Sequence, residues 1–310
     1  MSPNRKVGVL GGDKRQYYIA KQLLEEGMEL MLYAVEDAAS LAGEHGAHVL
    51  LEKSLAAFMD DSDLIIGPVP FSRDGSCIYA VNNDEQMDQS ICAGSLDTFC
   101  SLIRERHIIT GGNIPEQLQW VAGECGASCY DLMKVDRVAA ENAVATAEGT
   151  IAEAICSGDG NLSRSHCLIF GYGKCGKTLA ERLNGMKAYV TIAARNEAQL
   201  QDARNKGYET VELSALKENR AAHANMIKEA GYIFNTIPAP VITREILELV
   251  DQEALIIDIA SKPGGTDFAE CKNLGIKAKL SLGIPGRYAP RASAEILLRA
   301  MRHLFCPPSE

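Results

Sequence analysis

Residues 166–180 read HCLIFGYGKCGKTLA, and no other stretch restricts the fold as tightly. A short apolar run leads into Gly171-x-Gly173-x-x-Gly176 and a helical pattern follows, so the glycines sit between a strand and a helix. Each then has its own physical task. Gly171 makes the tight turn, Gly173 lets a pyrophosphate approach the backbone, and Gly176 lets the helix pack on the strand. The free N–H groups and positive end of that helix, with Lys174 and Cys175 in its first turn, favour an anion.

The rest of the second half continues the alternation. HCLIF, AYVTIAA, ETVEL, YIFNTI, ALIIDIA and KAKLSL read as strands with helices between them. Six strands in that pattern make one doubly wound, Rossmann-type NAD(P)-binding domain. The first half alternates in the same way, with KVGVLGG, MELMLYAV, AHVLL, SDLIIGPV, HIITGG and SCYDLM as strands. Strands separated by helices imply parallel sheets covered on both faces. From Lys134 to about Cys156 the Ala- and Glu-rich sequence predicts one long helix, kinked or interrupted near Gly149, followed by the breaker SGDGNLSRS. The expected fold class is α/β with two domains, each a doubly wound parallel sheet. Residues 1–134 form an N-terminal α/β substrate domain, 135–160 a linking helix and loop, 161–290 the nucleotide domain, and 291–310 a C-terminal helix, with packing back on the first domain as an option.

A net charge of −10 with no basic cluster speaks against nucleic acid or anionic lipid as the main partner. No apolar run is long enough to span a bilayer and the N-terminal residues lack a signal-peptide pattern, so a soluble intracellular protein is expected. The ten cysteines are scattered through apolar segments such as SICAGSLDTFCSL, which predicts reduced core thiols. Cys125 with Cys129, and Cys167 with Cys175, lack a second ligand pair, so no metal site is expected.

Arg195 ends the second strand of the nucleotide domain, about 20 residues past the glycines, where such folds often place a carboxylate for the ribose hydroxyls. A guanidinium there can grip a 2′-phosphate that a carboxylate would repel, so NADP is expected ahead of NAD, with Arg195 as a solvated surface cation and NAD held by backbone as the plain alternative. Asn196 either adds a hydrogen bond to the phosphate or caps the next helix. Two later strand ends, NTIPAP and DIASKPGG, belong to the same edge of the sheet, placing Thr236, Ile237 and Pro238 at the nicotinamide ribose and Lys262 either near a substrate carboxylate or as an ordinary surface lysine. In the first half, VGVLGGDKRQ lacks the spaced third glycine, so a second dinucleotide site is not expected. Its turn instead sets Asp13, Lys14, Arg15 and Gln16 at a helix N-terminus, either as a carboxylate-binding corner or as a plain helix start.

Taken together, GVLGGDKRQ, NAVATAEGTI, GYGKCGKTLA, AARN, NTIPAPVIT, DIASKPGGTDF and GIPGRYAPRASAEIL resemble the dipicolinate synthase A subunit family, nearly end to end. The second half alone also resembles the nucleotide domains of D-2-hydroxyacid dehydrogenases and adenosylhomocysteine hydrolase. The family resemblance implies oxidation of dihydrodipicolinate, a small dicarboxylate, to pyridine-2,6-dicarboxylate with NADP⁺ in the mother-cell cytoplasm of a spore former. It also implies that the partner is a second, flavoprotein-like B subunit, with a homodimer as a further option. Two substrate carboxylates ask for convergent donors, for which Asp13 and Arg15, Lys262, Arg287, and the hydroxyls of Thr146 and Ser261 are the candidates. Glu148 is the candidate proton acceptor, with an ordinary helix-surface carboxylate as the plain alternative. Competing readings are a 2-hydroxyacid-type dehydrogenase and a non-catalytic nucleotide-binding subunit of a two-subunit enzyme.

Overall fold

The computed structural model describes residues 5–81 and 90–305. The chain divides into two compact units, one of residues 1–141 and 289–310, the other of 142–288.

In the first unit, β1 (Val7–Leu10), α1 (Lys14–Glu25), β2 (Leu30–Tyr33), α2 (Ala38–His45), β3 (Val49–Leu51), α3 (Leu55–Asp61) and β4 (Leu64–Ile66) come first. A two-stranded antiparallel hairpin of β5 (Cys77–Val81) and β6 (Ser90–Ser95) follows. Then come α4 (Leu96–Ser101), β7 (Ile108–Gly111), α5 (Glu116–Glu124) and β8 (Ser128–Asp131). The helix α6 (Asp136–Ser157) leads from this unit into the second. There, β9 (His166–Phe170), α7 (Lys174–Gly185), β10 (Tyr189–Ala194), α8 (Glu197–Asn205), β11 (Glu209–Glu212), α9 (Leu213–Glu218) and α10 (Arg220–Glu229) form the first half of the second unit. β12 (Ala230–Asn235), α11 (Arg244–Leu247), β13 (Leu255–Asp258), α12 (Phe268–Leu274), β14 (Lys277–Leu280) and α13 (Ile284–Tyr288) complete it, and α14 (Pro290–Phe305) returns to the first unit.

Both large sheets are parallel and share one winding. The first runs β3-β2-β1-β4-β7-β8, the second β11-β10-β9-β12-β13-β14. In each, the order reverses beside the first strand, the switch point where such sheets bind ligands. Side chains alternate across the pleat, so each strand feeds two cores. Val7 and Val9 pack with Ile19 and Leu23 of α1 and with Leu297, Leu298 and Met301 of α14. Leu10 enters the opposite core with Phe58, Phe71 and Phe99. In the second unit, Ile169 packs with α7 and with Ala147, Ile151 and Ala154 of α6, whereas Leu168 and Phe170 face Ile246 and Leu247 of α11.

Three features differ from the sequence expectation. The helix α6 is continuous, and Gly149 serves close packing: a Cβ there would lie 2.3 Å from Ile284 Cγ2 and 2.9 Å from the Tyr288 ring. The hairpin β5–β6 was not expected, because its strands are short and lie off the repeating strand–helix pattern. It also corrects the thiol reading, since Cys77 and Cys92 are joined by a disulfide. Seven other cysteines are free, Cys100, Cys167 and Cys271 among them buried, and Cys306 lies outside the described residues.

Candidate functional site

The second unit carries the open seat. Gly171 adopts φ of +100°, and a Cβ on it would meet Thr236 Oγ1 at 2.2 Å. A Cβ on Gly176 would lie 2.2 Å from the carbonyl oxygen of Gly171, so both positions exclude any side chain. Gly173 is different: nothing lies within 4 Å of its would-be Cβ. It is the N-cap of the twelve-residue α7, and no side chain caps the helix. The first turn of α7 therefore has no side-chain cap and begins at an exposed Gly173, the arrangement in which helix N–H groups serve an anion. Thr236 is tied to β9, its N–H and hydroxyl both donating to Phe170 O at 2.9 Å.

At the end of β10, Arg195 is exposed and makes no hydrogen bond or ion pair among the described residues. Asn196 takes the capping alternative: its Oδ1 accepts from Ala198 N at 2.8 Å and Gln199 N at 3.3 Å. The neighbouring Glu197 is held by Arg204 at 2.6 Å and does not neutralise Arg195. These residues fit a dinucleotide, with backbone donors for the pyrophosphate, space at Gly173, and a disengaged guanidinium at the ribose end.

Two buried polar residues shape the next two strand ends, and sequence reasoning passed over both. Asn235 Oδ1 accepts from Ile237 N and its Nδ2 donates to Ile237 O, each at 3.0 Å. That leaves Ile237 half-buried and Pro238 exposed. Asp258 accepts from Ala260 N at 2.9 Å and Gly265 N at 3.0 Å, shaping the loop that presents Ser261 and Lys262 at the surface. The available signal was a polar residue closing an otherwise apolar strand, YIFN and LIID.

A second cluster surrounds Glu153 of α6, whose side chain is only 1% exposed. Arg287 reaches its Oε1 at 2.9 Å, Ser281 donates to the same oxygen at 3.0 Å, and Lys279 pairs with Oε2. Burial alone would raise this carboxyl, but hydrogen bonds from Lys279, Tyr288 and Ser281 and the charge of Arg287 hold it at about 2. Arg287 also donates to Ser281 Oγ at 2.5 Å, so it is first of all the tie of α13, with a third of its side chain exposed.

Other expected residues lie elsewhere. Glu148 is exposed and faces Arg182 Nε at 3.5 Å. Arg182 lies eight residues into α7 from Lys174, about 12 Å along the axis from the Gly turn, so Glu148 is engaged by a cation away from the helix's first turn. Thr146 donates to Asn142 O at 2.9 Å and sits against Cys175, whose thiol is pushed up by burial and eased back by that contact and by Lys174.

In the first unit the corresponding turn is filled by the protein's own atoms. Gly12 N donates to Tyr79 O at 2.7 Å, Val81 N donates to Gly12 O at 3.0 Å, and a Cβ on Gly11 would lie 2.6 Å from Tyr79 O. Strand β5 thus lies where a pyrophosphate would need to come. Asp13 caps α1 by accepting from Arg15 N at 3.1 Å, and its carboxylate also takes Arg15 Nε at 2.8 Å and Nη2 at 2.7 Å. Arg15 donates further to Val69 O, and Gln16 Nε2 donates to Gly67 O at 3.0 Å. Arg15 is 4% exposed, so its charge is held inside the unit and not offered to a ligand. Burial also raises the carboxyl of Glu36; Lys14 opposes the rise and Asp37 and Asp13 add to it, so the corner is acidic. Among the described residues no group of His, Cys, Asp or Glu could hold a metal ion, and no helix is long and apolar enough to cross a membrane.

Residues 6–133 match the family model of the N-terminal domain of the dipicolinate synthase A subunit, and residues 167–273 match that of the TrkA-N domain. The A subunit of dipicolinate synthase from Bacillus subtilis (strain 168) is 28% identical over 302 residues, covering 97% of this chain and 95% of that protein. The crystal structure of the dipicolinate synthase A subunit from Bacillus halodurans superposes with a TM-score of 0.81 at 26% identity, covering 98% of each chain. A transhydrogenase from Sinorhizobium meliloti shares the fold, with a TM-score of 0.65 at 16% identity over 96% of this chain and 92% of that one.

Proposed function

We propose that this chain, which is similar nearly end to end to dipicolinate synthase A subunits, oxidises dihydrodipicolinate to dipicolinate with NADP⁺, working with a second, flavoprotein-like subunit in the mother-cell cytoplasm of a spore former. The observation that carries the cofactor half of this reading is the pairing of an open, uncapped helix N-terminus at Gly173 with the disengaged Arg195 at the end of β10. The residues that would hold NADP⁺ are Gly171, Gly173, Lys174, Cys175 and Gly176 at the pyrophosphate, Arg195 at the 2′-phosphate, and Thr236, Ile237 and Pro238 at the nicotinamide ribose. When bound, NADP⁺ supplies the hydride acceptor.

The protein's own share of the chemistry is placement. Aromatising a dihydropyridine releases one hydride and one proton, and the gain in resonance makes the step strongly downhill, so orientation outweighs acid–base power. Lys262 and Ser261, both exposed on the loop after β13, are the donors we assign to a substrate carboxylate. Arg287 supports them by fixing α13 through Glu153 and Ser281. Asp13 and Arg15 neutralise each other and organise the first unit instead of reaching substrate.

The test is direct. Purified chain given freshly generated dihydrodipicolinate and NADP⁺ should form the ultraviolet-absorbing pyridine product well above the spontaneous rate. No excess over that rate, with or without the partner subunit, contradicts the proposal.

A further inference from the structure

Asp258 closes β13 with a carboxylate at 0% exposure, and the chemistry above does not use it. Such a group is expensive to bury unless every position around it is arranged to meet it. Its oxygens accept from Ala260 N at 2.9 Å and Gly265 N at 3.0 Å, the two ends of the segment that carries Ser261 and Lys262. Within that segment Gly264 N donates to Ser261 O at 2.9 Å, so Lys262 stands at the tip of a closed turn.

Gly265 also joins this turn to the preceding one. Its carbonyl oxygen accepts from Val241 N at 3.0 Å and Ile242 N at 2.9 Å. A Cβ on it would lie 2.4 Å from Asn235 Nδ2 and 2.6 Å from both Ala239 O and Ile237 O. The segments 236–242 and 259–265 are therefore knotted at one glycine, and Asp258 holds that glycine from the strand end. We propose that Asp258 is a positioning residue: by bridging residues 260 and 265 it fixes the turn that presents Lys262 and locks it to the turn that presents Thr236, Ile237 and Pro238. Among the described residues its carboxylate hydrogen-bonds only to backbone N–H groups, so it acts through these residues and is not itself catalytic.

The catalytic consequence rests on the proposed role of Lys262, and the experiment separates the two. Asp258→Asn keeps the shape but turns an amide N–H toward one of the two backbone donors. Hydrogen–deuterium exchange, which needs no activity, should show faster exchange confined to segments 236–242 and 259–265. In kinetics, Asp258→Asn should raise the KM for the dihydropyridine roughly tenfold, the loss of about one charge-assisted hydrogen bond. Adenosine 2′,5′-bisphosphate, which reports only the Gly turn and Arg195, should bind within about twofold of wild type. In a Lys262→Ala background the same substitution should add little, because both act on one contact.

Exchange that spreads over the whole second unit, a full additional loss in the Lys262→Ala background, or equal weakening of the adenosine probe would each overturn the proposal. If Lys262→Ala alone is kinetically silent, the role of Lys262 fails, and the exchange pattern then decides for or against Asp258. A wild-type chain that does not bind the adenosine probe refutes the nucleotide seat and leaves the exchange result to judge the knot.

Discussion

Replacing Glu153 by Gln keeps the side chain's shape and removes the charge that Lys279 and Arg287 neutralise. The folded carboxyl sits at about 2 against an ordinary 4.5. At about 1.4 kcal/mol per pH unit, that gap corresponds to about 3 kcal/mol of stability at neutral pH. Breaking a buried pair costs about 3–5 kcal/mol, and the low end applies because the two cations are themselves partly exposed and can rehydrate. The sign follows from the direction: the folded value lies below the unfolded one, so the contribution is complete above pH 4.5 and is lost as pH falls through about 2. Urea denaturation followed by circular dichroism at pH 7 and pH 3 reads this directly. The wild type should exceed Glu153→Gln by about 3 kcal/mol at pH 7 and by clearly less at pH 3. An equal difference at both pH values, or one under about 0.5 kcal/mol at pH 7, refutes this electrostatic role of Glu153.

Further expectations concern the seat and a buried imidazole. Arg195→Ala should weaken NADP⁺ by about 10- to 100-fold, the loss of a bidentate phosphate contact, while NAD⁺ binding by calorimetry stays within about twofold. Gly171→Ala meets both a φ of +100° and an oxygen 2.2 Å from the new carbon, so it should destabilise the second unit by about 2–3 kcal/mol in a melting experiment and abolish nucleotide binding. His107, 1% exposed, lies 3.0 Å from Met59 O through Nε2 and accepts from Arg104 N through Nδ1 at 3.0 Å. Burial lowers its pKa, so stability should be full above the ordinary 6.5 and fall below it by at most about 1.4 kcal/mol per pH unit; His107→Gln should flatten that slope in denaturation between pH 7.5 and 5.5.

Both winding patterns were legible because parallel strands buried on two faces read as unbroken apolar runs, such as LIIG and LIFG, between helical periods. Gly171, Gly173 and Gly176 could be sorted by task because strand and helix flank them directly. What escaped were side chains whose meaning depends on partners distant in sequence. Glu153 looks like one more acid in an Ala-rich helix until Lys279, Ser281 and Arg287 meet it more than 120 residues on. Arg15 looks like an available cation, yet Asp13, two residues away, and Val69 enclose it. The hairpin β5–β6 lies between two strands of the repeating pattern, and nothing local announces that Tyr79 would occupy the first unit's phosphate position. Asn235 and Asp258 carry a faint local signal, a polar end on an apolar strand, but which backbone groups they hold is a property of the folded loops.

We propose that the chain seats one dinucleotide, in the second unit, and reads its 2′-phosphate with Arg195. Calorimetric titration of the purified chain with NADP⁺ and separately with NAD⁺ measures both parts at once. One site per chain and tighter binding of NADP⁺ are expected. Two sites per chain, or NAD⁺ binding as tightly as NADP⁺, would contradict the proposal.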